Sequence, residues 1–162
     1  MASSILFVCL GNICRSPSAE AVCRARFDAA GLKHVRLDSA GTGDWHVGNP
    51  PDPRAIAEGR RRGYDLTSLR ARQAVAADFE RFDLVLAMDR SNHRNLTALH
   101  GAAGGEPLPA PRLFLDFARG HEGLEVPDPY FGDRVGGKDG FAHMFDLIEA
   151  AADGLIAEIR GV

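Results

Sequence analysis

Ile5-Leu6-Phe7-Val8-Cys9-Leu10-Gly11-Asn12-Ile13-Cys14-Arg15-Ser16-Pro17 decides how this chain folds. The apolar run Ile5–Val8 has the character of a strand buried on both faces of a parallel sheet. Pro17 opens a stretch with helical spacing, and Ser16 before it has the side chain of an N-cap. Between strand and helix lie a thiol, Cys9, five intervening residues and a guanidinium, Arg15. A loop in that position turns backbone N–H groups inward as a nest, and the helix start adds the positive end of its dipole. Leu10, Gly11, Asn12, Ile13, Cys14 and Ser16 therefore read as the wall of an anion site. Arg15 supplies a planar fork for two phosphate oxygens, and Cys9 lies beneath as the nucleophile. A free thiol, near pKa ~8.5, is a few per cent thiolate at neutral pH. One at a helix N-terminus beside a cation falls to between ~3.5 and ~7.5. The Ser16 hydroxyl stands ready to donate a further hydrogen bond to the sulfur.

Working outward, residues 17–30 carry Ala19, Cys23 and Phe27 in one apolar stripe and Glu20, Arg24 and Asp28 in a neighbouring solvated one. Cys23 reads as an inert core thiol, and Arg26 sits awkwardly beside the apolar face. A second strand is expected at Val35–Ser39, closing at Gly41 and Gly43, with a loop over 44–52. Asp52-Pro53 reads as N-cap and first residue of a helix running to about Gly63. Phe82–Ala87 is expected as a third strand, with a helix opening at Asp89, and Arg112–Phe117 as a fourth. Residues 140–160 close the chain as an amphipathic helix with Phe141, Phe145, Ile148, Ala152, Leu155 and Ile159 inward. Strands alternating with helices imply an α/β fold: one domain over 1–162, a doubly wound four-stranded parallel sheet with helices on both faces. Ligands of such sheets bind beyond the carboxyl ends of the strands, which brings Cys9, Ser39 and Asp89 to one crevice.

Bulk properties narrow the function. The 162 residues are 45% hydrophobic, enough for a substantial core, and the net charge of −3 gives no electrostatic reason to expect nucleic acid or membrane as partner. No apolar stretch approaches the ~20 residues that span a bilayer, and Met1-Ala2-Ser3-Ser4 lacks the basic region of a secretory signal. Three cysteines do not read as a disulfide framework, so a reducing cytoplasm is the expected compartment, with a monomer as the default state. The histidines and cysteines show no metal-ligand spacing and no nucleotide-binding glycine loop is present, so neither metal nor cofactor is expected. Arg60-Arg61-Arg62 with Arg70 and Arg72 reads as a solvated basic face, or alternatively as a docking surface for acidic substrates.

A carboxylate completes the constellation. Val126-Pro127-Asp128-Pro129-Tyr130 precedes the last helix, and the flanking prolines stiffen the backbone around Asp128. A rigidly held acid beside an aromatic suits protonation of a phenolic leaving group, worth ~10²–10⁴-fold in rate. The alternative for Asp128 is a simple turn residue.

With these residues in view the chain resembles the low-molecular-weight protein tyrosine phosphatases. The resemblance runs through Cys9–Pro17, Ser39-Ala40-Gly41-Thr42, Trp45 with Val47-Gly48, and Pro51-Asp52-Pro53-Arg54-Ala55. It continues through Ala71-Arg72-Gln73, Met88-Asp89 with Ser91-Asn92, and Asp128-Pro129-Tyr130, in the family's order. It implies a metal-free reaction in which Cys9 attacks phosphorus, Arg15 and the loop amides hold the equatorial oxygens, and Asp128 protonates the departing phenolate. Water then hydrolyses the phosphocysteine with Asp128 as base. It further implies that Asn12, Ser39 and Asp89 support the loop, that Trp45 and Tyr130 wall the cleft, and that the substrate is a phosphotyrosine protein opposed by a tyrosine kinase. Leu69 stands where the family often has a histidine that helps hold the loop asparagine, and Phe131 replaces a second tyrosine. Ile13 stands where the family's phosphoarginine phosphatases typically carry threonine. An arsenate reductase of similar fold needs downstream relay cysteines, which are missing after Cys23. A phosphotyrosine-binding module or a phosphocysteine carrier does not need Asp128. Cys14 reads either as a loop-filling side chain or as a thiol that resolves an oxidised Cys9.

Overall fold

β1 (Ser4–Cys9) is buried along its whole length, and its pairing explains the rest of the architecture. In the computed structural model, which describes residues 2–130, 134–135 and 138–161, β1 pairs in parallel with β2 (Arg36–Gly41) and β3 (Leu84–Ala87). β3 in turn pairs in parallel with the short β4 (Arg112–Leu113), so the sheet order is β2-β1-β3-β4. Period-two alternation sends Ile5, Phe7 and Cys9 to one face, against α1 (Arg15–Ala29), α2 (Pro53–Arg61) and α5 (Gly140–Arg160). Leu6 and Val8 go to the other face, against α3 (Asp78–Arg81) and α4 (Arg90–Ala102). Fully burying each such side chain is worth ~1.5–3 kcal/mol, so the point at which Cys9 leaves the sheet is firmly set. The chain leaves β1 toward β2 on one side and β3 on the other, which makes the end of β1 the switch point where α/β sheets hold ligands.

The expected architecture is the observed one, with helices on both faces of a parallel sheet. Several boundaries differ. α1 begins at Arg15, two positions before Pro17. β2 extends to Gly41, and β3 begins at Leu84; Phe82, ahead of it, packs under the Arg36 guanidinium, 4.5 Å from its ring centre. Only Arg112 and Leu113 of the expected fourth strand pair with the sheet; Phe114–Phe117 is a 3₁₀ helix. The cap at Asp52 is as read, its carboxylate accepting the Arg54 N–H, and Asp89, the expected opening of a helix, caps α4 by accepting the Asn92 N–H. Ala19, Cys23 and Phe27 are buried, as are Phe141, Phe145, Ile148, Ala152, Leu155 and Ile159. Arg26 is accommodated by ion pairs to Glu149 and Asp153 on α5. A small antiparallel ribbon, β5 (Arg134–Val135) with β6 (Lys138–Asp139), precedes α5. Phe131 lies outside the described residues. Among the described residues, no helix is long and apolar enough to cross a membrane.

Candidate active site

Four carbonyls of the loop from Cys9 to Arg15 have partners outside its concave side. Those of Cys9, Leu10, Ile13 and Cys14 accept from the N–H groups of Thr42, Gly43, Asp52 and Ser18. With the acceptors occupied outside, the concave side is left to donors, to which the first turn of α1 adds N–H groups with no partner within the helix. Gly41 makes this packing feasible: a Cβ there would lie 2.7 Å from the Leu10 carbonyl oxygen. Asn12 takes φ 57°, the left-handed region that asparagine tolerates better than most residues.

Cys9 is buried at the floor. Its sulfur lies 3.0 Å from Ser16 Oγ and accepts the Asn12 backbone N–H at 3.3 Å. Ser16 is not the N-cap expected of it. It sits inside α1, where its oxygen accepts from Asn12 Nδ2 at 2.7 Å, with the Ala40 carbonyl as its other neighbour at 3.2 Å. The helix starts at Arg15 with Cys14 in the capping position, and the Ser16 hydroxyl is engaged with the thiol and the loop rather than with the helix's own N–H groups.

Arg15 is 3% exposed, and a cation so buried needs partners. Nη1 donates to Asp89 Oδ2 at 2.7 Å and to the Val126 carbonyl at 3.1 Å, while Nη2 lies 3.6 Å from Asp128 Oδ2. Burial by itself lowers its pKa, but the Cys9 sulfur and the carboxylates of Asp89 and Asp128 outweigh that and raise it, keeping the guanidinium charged. Asp128 is one-third exposed and accepts the Tyr130 N–H at 3.0 Å. Its loop is tethered at the end of β3 by Val126 N–H donating to the Met88 carbonyl at 2.8 Å.

Cys9, Leu10, Gly11, Ile13, Cys14, Arg15, Trp45, Asp128 and Tyr130 line one cavity, and His46 joins them. Trp45 and Tyr130 are exposed at its mouth. The His46 ring covers Gly11, where a Cβ would meet it at 3.0 Å, and lies 6.4 Å from the Tyr130 ring. Sequence reasoning missed His46, whose only signal was adjacency to Trp45. Arg54 backs this wall, its guanidinium donating to the Tyr130 carbonyl and lying over the Tyr130 and Phe141 rings.

Asn12 is held without the side chain of Leu69. Its Nδ2 donates to Ser16 and, at 3.0 Å, to Ser39 Oγ, and its Oδ1 accepts the Arg72 N–H at 3.0 Å. Two expectations are corrected here. Arg72 is not part of a solvated basic face: its guanidinium binds Asp38 and the buried Asp78. Arg62 is likewise committed, to Glu58, Asp146 and Glu149, whereas Arg60, Arg61 and Arg70 are exposed as read, Arg61 pairing with Glu58. Glu20 is not on a solvated stripe but half-buried, accepting from Ser39 Oγ at 2.7 Å. Cys23 is fully buried. Among the described residues, no group of three His, Cys, Asp or Glu side chains is arranged to hold a metal ion.

Comparison with known proteins agrees with this geometry. The family model described as low molecular weight phosphotyrosine protein phosphatase matches residues 4–161. The low molecular weight protein-tyrosine-phosphatase of Streptomyces coelicolor is 45% identical over 163 aligned positions, covering 99% of this chain and 95% of that protein. The crystal structure of YfkJ from Bacillus subtilis superimposes with a TM-score of 0.87 at 36% identity, covering 99% of this chain and 96% of that one. A Drosophila arginine phosphatase structure also superimposes at 0.87, with 30% identity, covering 96% of this chain and 97% of that one.

Proposed function

Because the chain belongs to the low molecular weight phosphotyrosine protein phosphatase family, we propose that it hydrolyses phosphotyrosine in proteins through a phosphocysteine, without metal. The observation that carries this reading is the convergence of Cys9, Arg15 and Asp128 on one cavity, with Arg15 between the other two. The Cys9 thiolate attacks phosphorus in line with the phenolic oxygen. Arg15 and the N–H groups of Leu10, Gly11, Ile13, Cys14 and Ser16 hold the equatorial oxygens, where charge builds up, while the Asn12 N–H stays on the Cys9 sulfur. The P–O bond breaks as the Asp128 carboxyl gives its proton to the leaving oxygen. Water then attacks the phosphocysteine, Asp128 takes its proton, and phosphate leaves with Cys9 restored as thiolate. Trp45 and Tyr130 flank the ring of the substrate, and Ser39 and Asp89 hold the loop and the guanidinium. The protein works as a cytoplasmic monomer opposite a tyrosine kinase.

The test is turnover of an aryl phosphate and a phosphotyrosine peptide in excess chelator, by wild type and Cys9→Ser, with acid-quenched protein searched for phosphocysteine. Activity that needs added metal, or that survives Cys9→Ser, overturns the proposal. The Drosophila arginine phosphatase likeness favours a second reading, phosphoarginine hydrolysis. The apolar, branched Ile13 beside the aromatic walls argues for a flat ring, and a phosphoarginine substrate in the same assay separates the two.

A further inference from the structure

We propose that Glu20 is a positioning residue for Cys9, acting through Ser39 by fixing the direction of the hydrogen bonds that end on the nucleophile. The chain of contacts is continuous: Glu20 Oε1 to Ser39 Oγ at 2.7 Å, Ser39 Oγ to Asn12 Nδ2 at 3.0 Å, Asn12 Nδ2 to Ser16 Oγ at 2.7 Å, and Ser16 Oγ to Cys9 Sγ at 3.0 Å. The directions follow from counting protons. The Arg72 N–H on Asn12 Oδ1 fixes the amide orientation, so Nδ2 presents one proton to each serine. An amide nitrogen does not accept, so the Ser39 proton must go elsewhere, and Glu20 takes it. Ser39 oxygen is thereby held as acceptor for Asn12. Ser16, which also accepts from Asn12, has its own proton left for the Cys9 sulfur or the Ala40 carbonyl.

Without an acceptor at position 20, the buried Ser39 hydroxyl has a proton with no good destination and turns away. Asn12, whose left-handed backbone needs side-chain support, then loses one of its anchors. Around Glu20 the charged groups are Asp38 and Arg72, which act on it in opposite senses, and Arg24 and Asp65, which line the same surface groove with the neutral Tyr64 phenol. Arg24 is committed to Asp28 and to the carbonyls of Leu32 and Val35, and Arg72 to Asp38 and Asp78. Ser39 is therefore the group through which Glu20 reaches the loop.

The inference rests on Cys9 being the nucleophile, and a double-mutant cycle tests it. Glu20→Ala lowers turnover, the affinity for inorganic phosphate as a competitive inhibitor, and the rate of Cys9 alkylation by iodoacetate, each by roughly tenfold, as expected when the buried Ser39 donor is left without its acceptor. Glu20→Gln, whose carbonyl still accepts from Ser39, restores most of each. In a Ser39→Ala background, Glu20→Ala causes no further loss. Should Glu20→Ala be too unstable to purify, Glu20→Met, similar in volume and without the acceptor, replaces it in the cycle. Equal effects of Gln and Ala, full additivity with Ser39→Ala, or a change in melting temperature with no change in alkylation rate would each overturn the inference. Turnover that survives Cys9→Ser overturns the phosphatase reading as well, whereas turnover that depends on Cys9 with an additive cycle overturns the role of Glu20 alone.

Discussion

Asp89 binds Arg15 with one carboxylate oxygen, at 2.7 Å, and caps α4 with the other, accepting the Asn92 N–H at 2.7 Å. One side chain thus couples the guanidinium at the end of β1 to the helix that follows β3. Asp89→Ala removes both contacts and leaves Arg15 buried without its shortest ion pair. Breaking a buried pair costs ~3–5 kcal/mol and losing a cap ~1 kcal/mol. The melting temperature should fall by roughly 10–20 °C, at ~2–4 °C per kcal/mol in a chain of this size, with a rise in KM for aryl phosphates. Asp89→Asn keeps an oxygen for the cap and should recover part of the stability but less of the KM.

Asp128→Asn should cost ~10²–10³ in turnover on substrates with poor phenolic leaving groups and much less on activated ones, because a good leaving group needs little protonation. The measurement is kcat across a series of aryl phosphates of increasing leaving-group pKa. An equal loss along the series would remove Asp128 as the acid.

Trp45 folds back over Gly43, where a Cβ would lie 1.9 Å from the indole ring. Gly43→Ala should therefore displace Trp45 from the cleft and reproduce the effect of Trp45→Ala. Both variants should raise KM for phosphotyrosine peptides more than for small aryl phosphates, with kcat little changed. Parallel increases for the two substrate classes would show that Trp45 does not face the peptide.

The strand–loop–helix at the N-terminus was legible because each of its residues obeys a local rule: an apolar run, then a thiol and a guanidinium at the mouth of a helix. Asp52 was legible as a cap, and Asp89 as the start of a helix, for the same reason. Phe114–Phe117 was not, since an apolar run fits strand and helix alike. Phe114, Leu115 and Phe117 are all buried in the same core cluster, and three residues per turn put Phe114 and Phe117 on one side where a strand would alternate them. Ser16 was misread as a cap because its partner, Asn12, lies in a loop whose path depends on Gly41 and Arg72, far along the chain. Glu20 has charged neighbours at helical spacing in Arg24 and Asp28, and nothing local shows that β2 lays Ser39 over it.

Glu20 also leaves a signature in the pH dependence of stability. Burial raises its pKa to about 7 from an ordinary 4.5, although the Ser39 hydrogen bond pulls the other way. The folded protein therefore holds this proton more tightly than the unfolded chain. The associated stability is complete below pH ~4.5 and is lost as pH rises to about 7, a change on the order of 3 kcal/mol. Asp52, held low by Arg54, and Glu58, held low by Arg61 and Arg62, are already ionised across that window and add no slope. Between pH 5 and 7.5 the melting temperature of wild type should fall more steeply than that of Glu20→Gln. Parallel curves would show that Glu20 titrates as an ordinary carboxylate.

Cys14 lines the same cavity as Cys9, and burial, with Asp52 nearby, pushes its thiol pKa up, so it stays protonated and does not compete for phosphorus. A thiolate at Cys9 is the group that peroxide oxidises first, giving a sulfenic acid and hydroxide. Oxidation of Cys9 removes a negative charge that helps hold the Cys14 proton. Cys14, giving that proton to the departing hydroxide, displaces the sulfenic oxygen as water and forms a Cys9–Cys14 disulfide that a dithiol reductant reopens. Peroxide should thus inactivate wild type reversibly. In Cys14→Ser the sulfenic acid has no resolving partner within the loop and proceeds to sulfinic acid, so reductant should recover little activity. Catalysis before oxidation should be nearly unchanged in Cys14→Ser, because the loop offers its backbone N–H at position 14 rather than the side chain. The checks are activity recovered after matched peroxide and reductant treatments, and mass spectrometry of the peptide spanning Cys9 and Cys14. Equal recovery in both proteins would leave Cys14 as a buried filler of the loop.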